Sequence, residues 1–222
     1  MAIKTRTTHN LSLKNKKILV TAGPTWVKLD AVRVITNIFT GLTGCRIAEE
    51  AACRGARVTL LLGPGGAAPR PKRAGRIKIV RFRYFDDLRR LLRKELRTGR
   101  YNALIHSAAV SDFAPRSLKR RKMSSSTGKT ISLVPLPKLI DRVRQWAPDI
   151  FLIKFKLVVG VSASGLRQVG RRSLSDSDLL VANTADKDGT IKATYIINKN
   201  EGICEKIAKR SELPKKLLNL IQ

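Results

Sequence analysis

The chain has 222 residues, with 45 Lys and Arg against 16 Asp and Glu, so its formal net charge is +29. Hydrophobic residues make up 43% of the sequence, which is enough for a sizeable core and excludes a wholly disordered protein. No apolar stretch approaches the ~20 uncharged residues of a membrane helix, so we expect no membrane association. Three widely spaced cysteines, Cys45, Cys53 and Cys204, argue against a disulfide framework and a zinc site, and favour a cytoplasmic location.

The positive charge is spread over the whole chain. An excess of this size favours polyanions or phosphorylated small molecules as binding partners. Because the charge is spread over the chain, it affects solubility and the attraction of charged ligands more than it identifies a reaction. The start of the chain, MAIKTRTTHNLSLKNKK, lacks the apolar core and the small-residue cleavage site of a secretory signal. We therefore expect a basic, flexible lead-in over 1–16 and a single domain over 17–222.

Apolar runs in the first half alternate with helical segments. KILVT at 17–21 and RVTLLL at 57–62 are β-rich and bounded by Gly or Pro, which is typical of buried parallel strands. Helical composition at 44–54 separates them, and strands are predicted at 78–82 and 103–107. The segment 85–96 places four leucines on one helical face (Leu88, Leu91, Leu92 and Leu96). This order predicts an α/β fold with a parallel sheet covered by helices.

The second half is less regular. A basic, Ser-rich stretch at 116–130 has no hydrophobic period and is predicted to be a mobile loop. We expect strands at 131–136, 150–161, 179–183 and 193–198, and a helix at 138–147. Two short helices are predicted to close the chain, the last one behind Pro214.

The motif TAGPT at 21–25 directly follows the first predicted strand. A glycine in such a turn lets backbone N–H groups approach a phosphate, although an ordinary turn is equally consistent with the residues. Roughly twenty residues separate Gly23 from the next helix, and the second strand ends in Gly63 rather than an acidic residue. This pattern argues against a nicotinamide dehydrogenase, and no Walker A loop is present.

Two further segments could carry chemistry. In DAVRVITNIFTGLTG at 30–44, the glycines at the start of a helix could hold phosphate oxygens, and Asn37 could bind a carboxylate or acyl phosphate. The alternative is a long loop with a helix cap at Thr43. In SAAVSDF at 107–113, small residues leave room for a planar ring, and Asp112 could hold a ribose or a divalent ion or be a turn residue. His106 is interpreted as a core histidine.

The basic loop LKRRKMSSSTGK at 118–129 has two interpretations. A mobile loop with Lys and Arg can close over an anionic intermediate, or it can be a solvated or nucleic-acid-binding tract. Aromatic residues make up only 5% of the chain, which makes nucleic acid an unlikely partner.

Taken in order, ILVTAGPT, VRVITNIFTGLTG, ARVTLLLGP, LIHSAAVSDF, KMSS, FLIKFKL and LLVAN resemble the phosphopantothenoylcysteine synthetase (phosphopantothenate–cysteine ligase) family. The resemblance is greatest to members that lack the fused flavin-dependent decarboxylase. It implies a Rossmann-like fold with a mostly parallel central sheet flanked by helices, and a homodimer. In such a fold the irregular second half would supply a loop and strands for dimerisation and active-site closure.

The resemblance also implies a two-step reaction in coenzyme A biosynthesis. Phosphopantothenate attacks the α-phosphate of a nucleotide, giving an acyl-nucleotide (acyl-CMP with CTP) and pyrophosphate, and the cysteine amine then displaces the nucleotide. The acyl phosphate carries a better leaving group than the free carboxylate does. Mg²⁺ is the expected cofactor, and CTP is favoured over ATP as co-substrate.

Roles follow by position from the same resemblance. Asn37 would hold the acyl-nucleotide and help turn it over, and Lys122 would hold and activate phosphopantothenate. Asp112 would also be the metal ligand. The expected nucleotide-binding residues lie in the turns after strands, at the start of the first helix and beside the base: Gly23, Thr25, Gly41, Ala108, Ala109, Asp112 and Phe155.

The turn after the first strand departs from the family pattern, since Pro24 replaces a glycine and removes one backbone donor. Two alternatives to the ligase therefore stay open. One is a degenerate paralogue that binds a nucleotide without catalysis, and the other is a basic nucleic-acid-binding α/β protein.

Overall fold

The structure is a computed structural model that describes residues 12–70, 77–118, 121–161, 163–174, 176–198 and 202–221. Its centre is an eight-stranded sheet. The strands are β1 (Lys17–Ala22), β4 (Arg57–Leu62), β5 (Ile77–Arg81), β6 (Ala103–His106), β9 (Phe151–Val159), β10 (Leu179–Ala185), β11 (Ile191–Asn198) and β12 (Gly202–Ile207). Two hairpins lie outside this sheet: β2 (Trp26–Lys28) with β3 (Val34–Thr36), and β7 (Phe113–Pro115) with β8 (Leu133–Pro135).

The strand order across the sheet is β5-β4-β1-β6-β9-β10-β11-β12. The six strands from β5 to β10 are parallel, whereas β11 and β12 are antiparallel to their neighbours. The chain runs outward from β1 to β5, returns to β6, and then runs outward in the other direction. Such a reversal leaves a crevice between the carboxyl ends of β1 and β6, where ligands of open α/β sheets bind.

In the part of the chain that the structure describes, five helices cover the sheet: α1 (Leu42–Cys53), α2 (Phe85–Leu96), α3 (Val143–Trp146), α4 (Ala163–Ser173) and α5 (Leu213–Leu218). Because side chains alternate along a strand, Ile18 and Leu19 of β1 belong to opposite faces. On the Ile18 face α1 and α5 pack against the strands, and on the Leu19 face α2 and α3 do so. Leu166 of α4 packs beyond them against β9, β10 and β11. Both faces of the sheet are therefore covered, which explains the continuous apolar runs of its parallel strands.

The predicted α/β fold with a mostly parallel sheet is confirmed, and the predicted bounds of β4 and α2 are those observed. Several local predictions were incomplete. The predicted loop around 30–44 contains β3, α4 and β12 were not predicted, and the predicted helix at 138–147 is a 3₁₀ turn (Leu139–Arg142) followed by α3. The sequence of α4, ASGLRQVGRRS, contains two Gly and two Ser and so has a weak helical signal.

The packed part of the chain begins before Lys17. Leu13 is buried among α1 and its neighbours, and its N–H donates to the carbonyl of Arg54 (2.9 Å). The rest of the predicted lead-in, residues 1–11, lies outside the described residues. No described helix has both the length and the apolar character needed to cross a bilayer.

Candidate active site

A cavity of about 370 Å³ lies at the crevice between β1 and β6. The turns after these two strands, the start of α1 and the middle of β9 and β10 form its walls. Five of the residues predicted to bind the nucleotide line it together: Gly23, Gly41, Ala108, Ala109 and Phe155. The cavity therefore combines backbone-rich turns at one edge with an aromatic side chain, which suits a ligand that has both phosphates and a planar ring.

Glycines let three backbone segments meet behind this cavity. Gly23 and Gly41 have φ values of 82° and 83°, which favour glycine. A Cβ on Gly41 would lie 2.7 Å from the Gly23 nitrogen, and one on Gly44 would lie 2.5 Å from the Ser107 Oγ. The start of α1 is thus pressed against the turns after β1 and β6, and no larger residue fits at these positions without displacing them.

Helix α1 begins at this contact without a side-chain cap. Its N-cap is Gly41, not Thr43, so the N-cap residue has no side chain to offer, and the Leu42 N–H donates at long range to the Thr40 hydroxyl (3.4 Å). The first turn of a helix carries N–H groups without intrahelical partners and the positive end of the helix dipole. The start of α1 is therefore suited to oxygen atoms of a phosphate group.

The turn containing Pro24 is joined to the turn after β6 by backbone hydrogen bonds. The N–H of Thr25 donates to the Ala109 carbonyl (3.2 Å), and the N–H of Ala109 donates to the Gly23 carbonyl (3.0 Å). The Thr25 side chain is fully buried and its hydroxyl pairs with that of Ser111 (3.0 Å). Thr25 therefore fastens the two turns together and does not line the cavity, so its expected phosphate contact stays a prediction.

His106 and Thr21 fix the wall after β6. The Thr21 hydroxyl lies 3.0 Å from His106 Nδ1 and accepts a hydrogen bond from the Ala108 N–H (3.2 Å). Burial lowers the pKa of His106 to about 4, so its imidazole is neutral at physiological pH. The interpretation of His106 as a core residue is confirmed, and it supports Ala108 through Thr21.

Asn37 is not among the residues that line the cavity, but it lies next to the lining residue Ile38 and contacts the turn after β6. Its amide nitrogen donates to the carbonyl oxygen of Ala109 (3.1 Å) and, at the limit of hydrogen-bonding distance, to that of Val110 (3.5 Å). Its Oδ1 accepts no hydrogen bond from any described residue. This oxygen could therefore accept a hydrogen bond from a ligand in the cavity, while the amide nitrogen keeps the side chain in place.

Asp112 and Lys122 are not brought into the cavity lining. The Asp112 side chain is 65% exposed and pairs with Lys138 (Nζ to Oδ1, 3.3 Å). Lys122 is exposed, and the next residue holds the loop, because the Met123 N–H donates to Asp30 Oδ2 (3.1 Å). Among the described residues no group of three or more His, Cys, Asp or Glu side chains could hold a metal ion. The expected roles of Asp112 and Lys122 stay predictions.

Asp30 is the anchor of that loop. It is 2% exposed and accepts hydrogen bonds from the N–H groups of Val32 (2.9 Å) and Arg33 (2.8 Å), besides an ion pair with the Arg33 guanidinium (3.0 Å). These hydrogen bonds, that of Val32 foremost, lower the pKa of the Asp30 carboxyl. The loop after β7 is thereby joined to the turn between β2 and β3.

Sequence reasoning missed several residues of the lining. Ser107, Lys156 and Asn183 belong to motifs that were noticed but given no site role. Ser107 directly follows β6, which was an available signal, whereas Lys156 and Asn183 lie inside β9 and β10. Arg46 and Arg210 lie at the start of α1 and in the last part of the chain, and nothing in the sequence pointed to their meeting.

The sequence model of the family described as "DNA/pantothenate metabolism flavoprotein C-terminal domain" matches residues 13–222. The chain belongs to this family. Within it, the chain is 35% identical over 187 residues to the "Coenzyme A biosynthesis bifunctional protein CoaBC" of Thermococcus kodakarensis. That alignment covers 83% of this chain but only 45% of the relative, so the chain spans less than half of that protein's length.

Two solved structures show the same fold. The DNA/pantothenate metabolism flavoprotein from Streptococcus pneumoniae has a TM-score of 0.80 at 30% identity, covering 92% of this chain and 97% of that one. A Cab2 variant in complex with phosphopantothenate-cysteine has a TM-score of 0.73 at 20% identity, covering 93% of this chain and 86% of that one. The family predicted from the order of the sequence motifs is thus confirmed.

Proposed function

We propose that this member of the flavoprotein C-terminal domain family is a phosphopantothenate–cysteine ligase of coenzyme A biosynthesis. The observation that carries the proposal is the cavity at the β1–β6 crevice, where the start of α1 and the Gly23 turn surround one space and Asn37 contacts its wall at Ala109. The CoaBC relatives supply the pathway, since their printed name is that of a coenzyme A biosynthesis protein.

In the first step the carboxylate of phosphopantothenate attacks the α-phosphorus of the nucleotide. A P–O bond forms, the bond to the bridging oxygen breaks, and pyrophosphate leaves with its electron pair. The N–H groups at the start of α1 and in the Gly23 turn face the charge that develops on the phosphates. Fixed dipoles aimed at developing charge are worth several kcal/mol in enzymes of this type, with roughly 3–4 for one donor.

In the second step the cysteine amine attacks the acyl carbon, the nucleoside monophosphate leaves, and the amine loses a proton. Asn37 lies next to the cavity lining with its amide nitrogen fixed on the Ala109 carbonyl. We assign its Oδ1 to orient the incoming amine against the acyl group. Correct orientation of bound reactants can contribute about 7–11 kcal/mol at most.

Lys122 would approach the phosphopantothenate when the loop after β7 closes over the cavity. Its ammonium is exposed, and the loop is fastened at Met123 to the buried carboxylate of Asp30. A closing loop that carries a cation both neutralises an anionic substrate and excludes water from an acyl phosphate.

The residues at the cavity fit Mg²⁺ only as an ion shared with the nucleotide. Mg²⁺ keeps several waters and needs one or two carboxylates besides substrate phosphates. Asp112 would supply that single carboxylate after release from Lys138, which now pairs with it at 3.3 Å. Bound there, Mg²⁺ would neutralise part of the phosphate charge.

CTP is proposed over ATP, and a homodimer as the active form. At the base end, the backbone of Ala108 and Ala109 and the ring of Phe155 surround the space for the base. The two hairpins expose several large apolar side chains, and a second copy of the chain would cover them: Val32, Phe113, Leu118, Ile131 and Leu133. Exposed apolar residues grouped in this way are typical of an interface.

One alternative function is favoured by a particular observation. Because Lys122 lies outside the lining, a paralogue that binds a nucleotide without catalysis would show the same cavity. Pro24 gives this alternative little support, because the residues on either side of it, Gly23 and Thr25, both form backbone hydrogen bonds with Ala109.

The deciding experiment measures pyrophosphate release by the purified protein with phosphopantothenate, Mg²⁺ and either CTP or ATP, with and without cysteine. The ligase predicts release that requires phosphopantothenate, a cysteine amide as product, and a faster reaction with CTP. Binding of nucleotide without release in any mixture would establish the non-catalytic paralogue instead.

A further inference from the structure

Two arginines without an assigned role lie at the phosphate end of the cavity. Arg46 is on α1, and Arg210 opens a 3₁₀ turn (Arg210–Glu212) just before α5. Both line the cavity beside Thr43 and Gly44 of the first turn of α1. One helix and the last segment of the chain thus contribute one guanidinium each to the same space.

Arg210 is held in place by the structure around it. Its Nη2 donates to the Thr43 hydroxyl (3.0 Å) at the beginning of α1. At the end of α1, Arg54 donates to the Lys215 carbonyl (2.9 Å) and to Asn219 Oδ1 (2.6 Å). The carboxyl-terminal segment is therefore fastened along α1 at both ends, which fixes the guanidinium of Arg210 over the start of the helix.

The two guanidinium groups belong to one cavity lining and have no neutralising partner among the described residues. The packing around Arg210 and the charge of Arg46 lower the pKa of Arg210. Within the described part of the chain neither arginine forms an ion pair. Two other arginines near α1 are each paired with one of its glutamates, Arg54 with Glu50 and Arg70 with Glu49.

Like charges next to each other cost free energy, and the positive end of a helix dipole adds to that cost. The cost is removed when an anion lies between the charges. A guanidinium presents a planar fork of donors that matches the oxygens of a phosphate, so a pair of them at a cavity is suited to a diphosphate group.

We infer that Arg46 and Arg210 form a receptor for the two terminal phosphates of the nucleotide, the group that leaves as pyrophosphate. The inference rests on the proposed ligase function, whose first step expels this group. The contacts fit this assignment: Asn37 and Gly23 meet Ala109 of the turn after β6, whereas Arg210 meets Thr43 of α1. The α-phosphate then lies near Asn37 and the leaving group near the arginines.

The test is calorimetric titration of the full chain with CTP, CMP and pyrophosphate at one ionic strength, repeated with ATP and AMP. The variants are Arg46→Ala, Arg210→Ala and the double variant. Arg89→Ala, which removes an exposed arginine paired with Asp86 on α2, is the control for net charge. Thermal unfolding of each variant shows that it folds.

We expect each single variant to weaken binding of the triphosphates and of pyrophosphate by about 10- to 100-fold, because a charged hydrogen-bonding pair is lost. The affinities of the arginine variants for the monophosphates should stay within about 2-fold of those of the unchanged protein. The same holds for every affinity of the Arg89→Ala control. Arg210→Lys should weaken binding less than Arg210→Ala does, because the charge remains but the planar set of N–H donors is lost.

The receptor would be overturned if the arginine variants lost affinity for CMP and CTP equally, or lost none for pyrophosphate. It would also be overturned if the unchanged protein bound neither triphosphate. The proposed ligase can fail separately. If the phosphate-dependent pattern appears but no pyrophosphate is released with phosphopantothenate, the receptor stands and the ligase does not.

Discussion

The cavity wall and the arm formed by the two hairpins (β2–β3 and β7–β8) are held by different means. At the cavity, glycines bring three backbone segments within van der Waals contact, and Thr21, Thr25 and Ala109 link them by hydrogen bonds. The arm consists of three-residue strands with exposed apolar side chains, and its long loop is fastened chiefly at Asp30. The proposed nucleotide site is thus held by close backbone contacts, whereas the loop that carries Lys122 is attached at few points.

The largest effect is expected from Asn37→Asp. The substitution removes the amide donor and sets a carboxylate against the Ala109 carbonyl, so the amine can no longer be oriented. Amide formation should fall by about 10³-fold or more, while the acyl-nucleotide accumulates. Rapid-quench analysis with radiolabelled nucleotide would detect the intermediate, and normal product formation by this variant would show that the assignment is wrong.

The steric fit of the cavity wall is tested by Gly41→Ala against Gly66→Ala. Both glycines have a φ of 83°, but a Cβ on Gly41 meets the Gly23 nitrogen at 2.7 Å, whereas nothing lies within 4 Å of one on Gly66. Both substitutions cost about 1–2 kcal/mol, because each places alanine in the left-handed backbone region. Only Gly41→Ala should lose nucleotide affinity, by at least about 100-fold in a titration. Equal affinities would mean that the contact does not shape the site.

Movement of the arm is tested by Lys122→Gln against Lys129→Gln in the same loop. Lys129 donates to Thr127 within the loop, so its removal should leave activity unchanged. Loss of the Lys122 charge should slow pyrophosphate release by about 10- to 100-fold with little effect on nucleotide affinity. A Lys122→Gln rate equal to that of the control would exclude Lys122 from the reaction.

The smallest effect concerns pH and the attachment of the loop at Asp30. The pKa of Asp30 is lowered in the folded protein, so its carboxylate stabilises the attachment fully above the unfolded value of 3.8. That contribution is lost as the pH falls through the lower folded value. Proteolysis of the 121–130 segment should therefore accelerate on acidification, and Asp30→Asn should give fast cleavage already at pH 7. If cleavage stays slow both for the unchanged protein at acidic pH and for Asp30→Asn at pH 7, Asp30 does not hold the loop.

The sequence predicted those parts of the molecule whose signal is local. The continuous apolar run of β4 and the leucine stripe of α2 gave correct bounds, and the order of motifs gave the family. Positions set by distant partners could not be predicted: the Thr25 hydroxyl pairs with that of Ser111, and Arg210 meets Thr43 across most of the chain. The strands β2, β3 and β7 were missed because three-residue strands carry too little periodicity, whereas β8 lies within the strand predicted at 131–136.

Among the described residues, no strand pairs with the outer side of β5 or of β12. Unpaired strands of this kind are templates for edge-to-edge aggregation, and exposed lysines and arginines are a common protection. On β5 the exposed residues include Lys78 and Arg81, and on β12 they include Lys206. The high positive charge of the chain thus has a colloidal consequence: molecules that approach one another along these edges repel, which favours solubility of an otherwise continuous β surface.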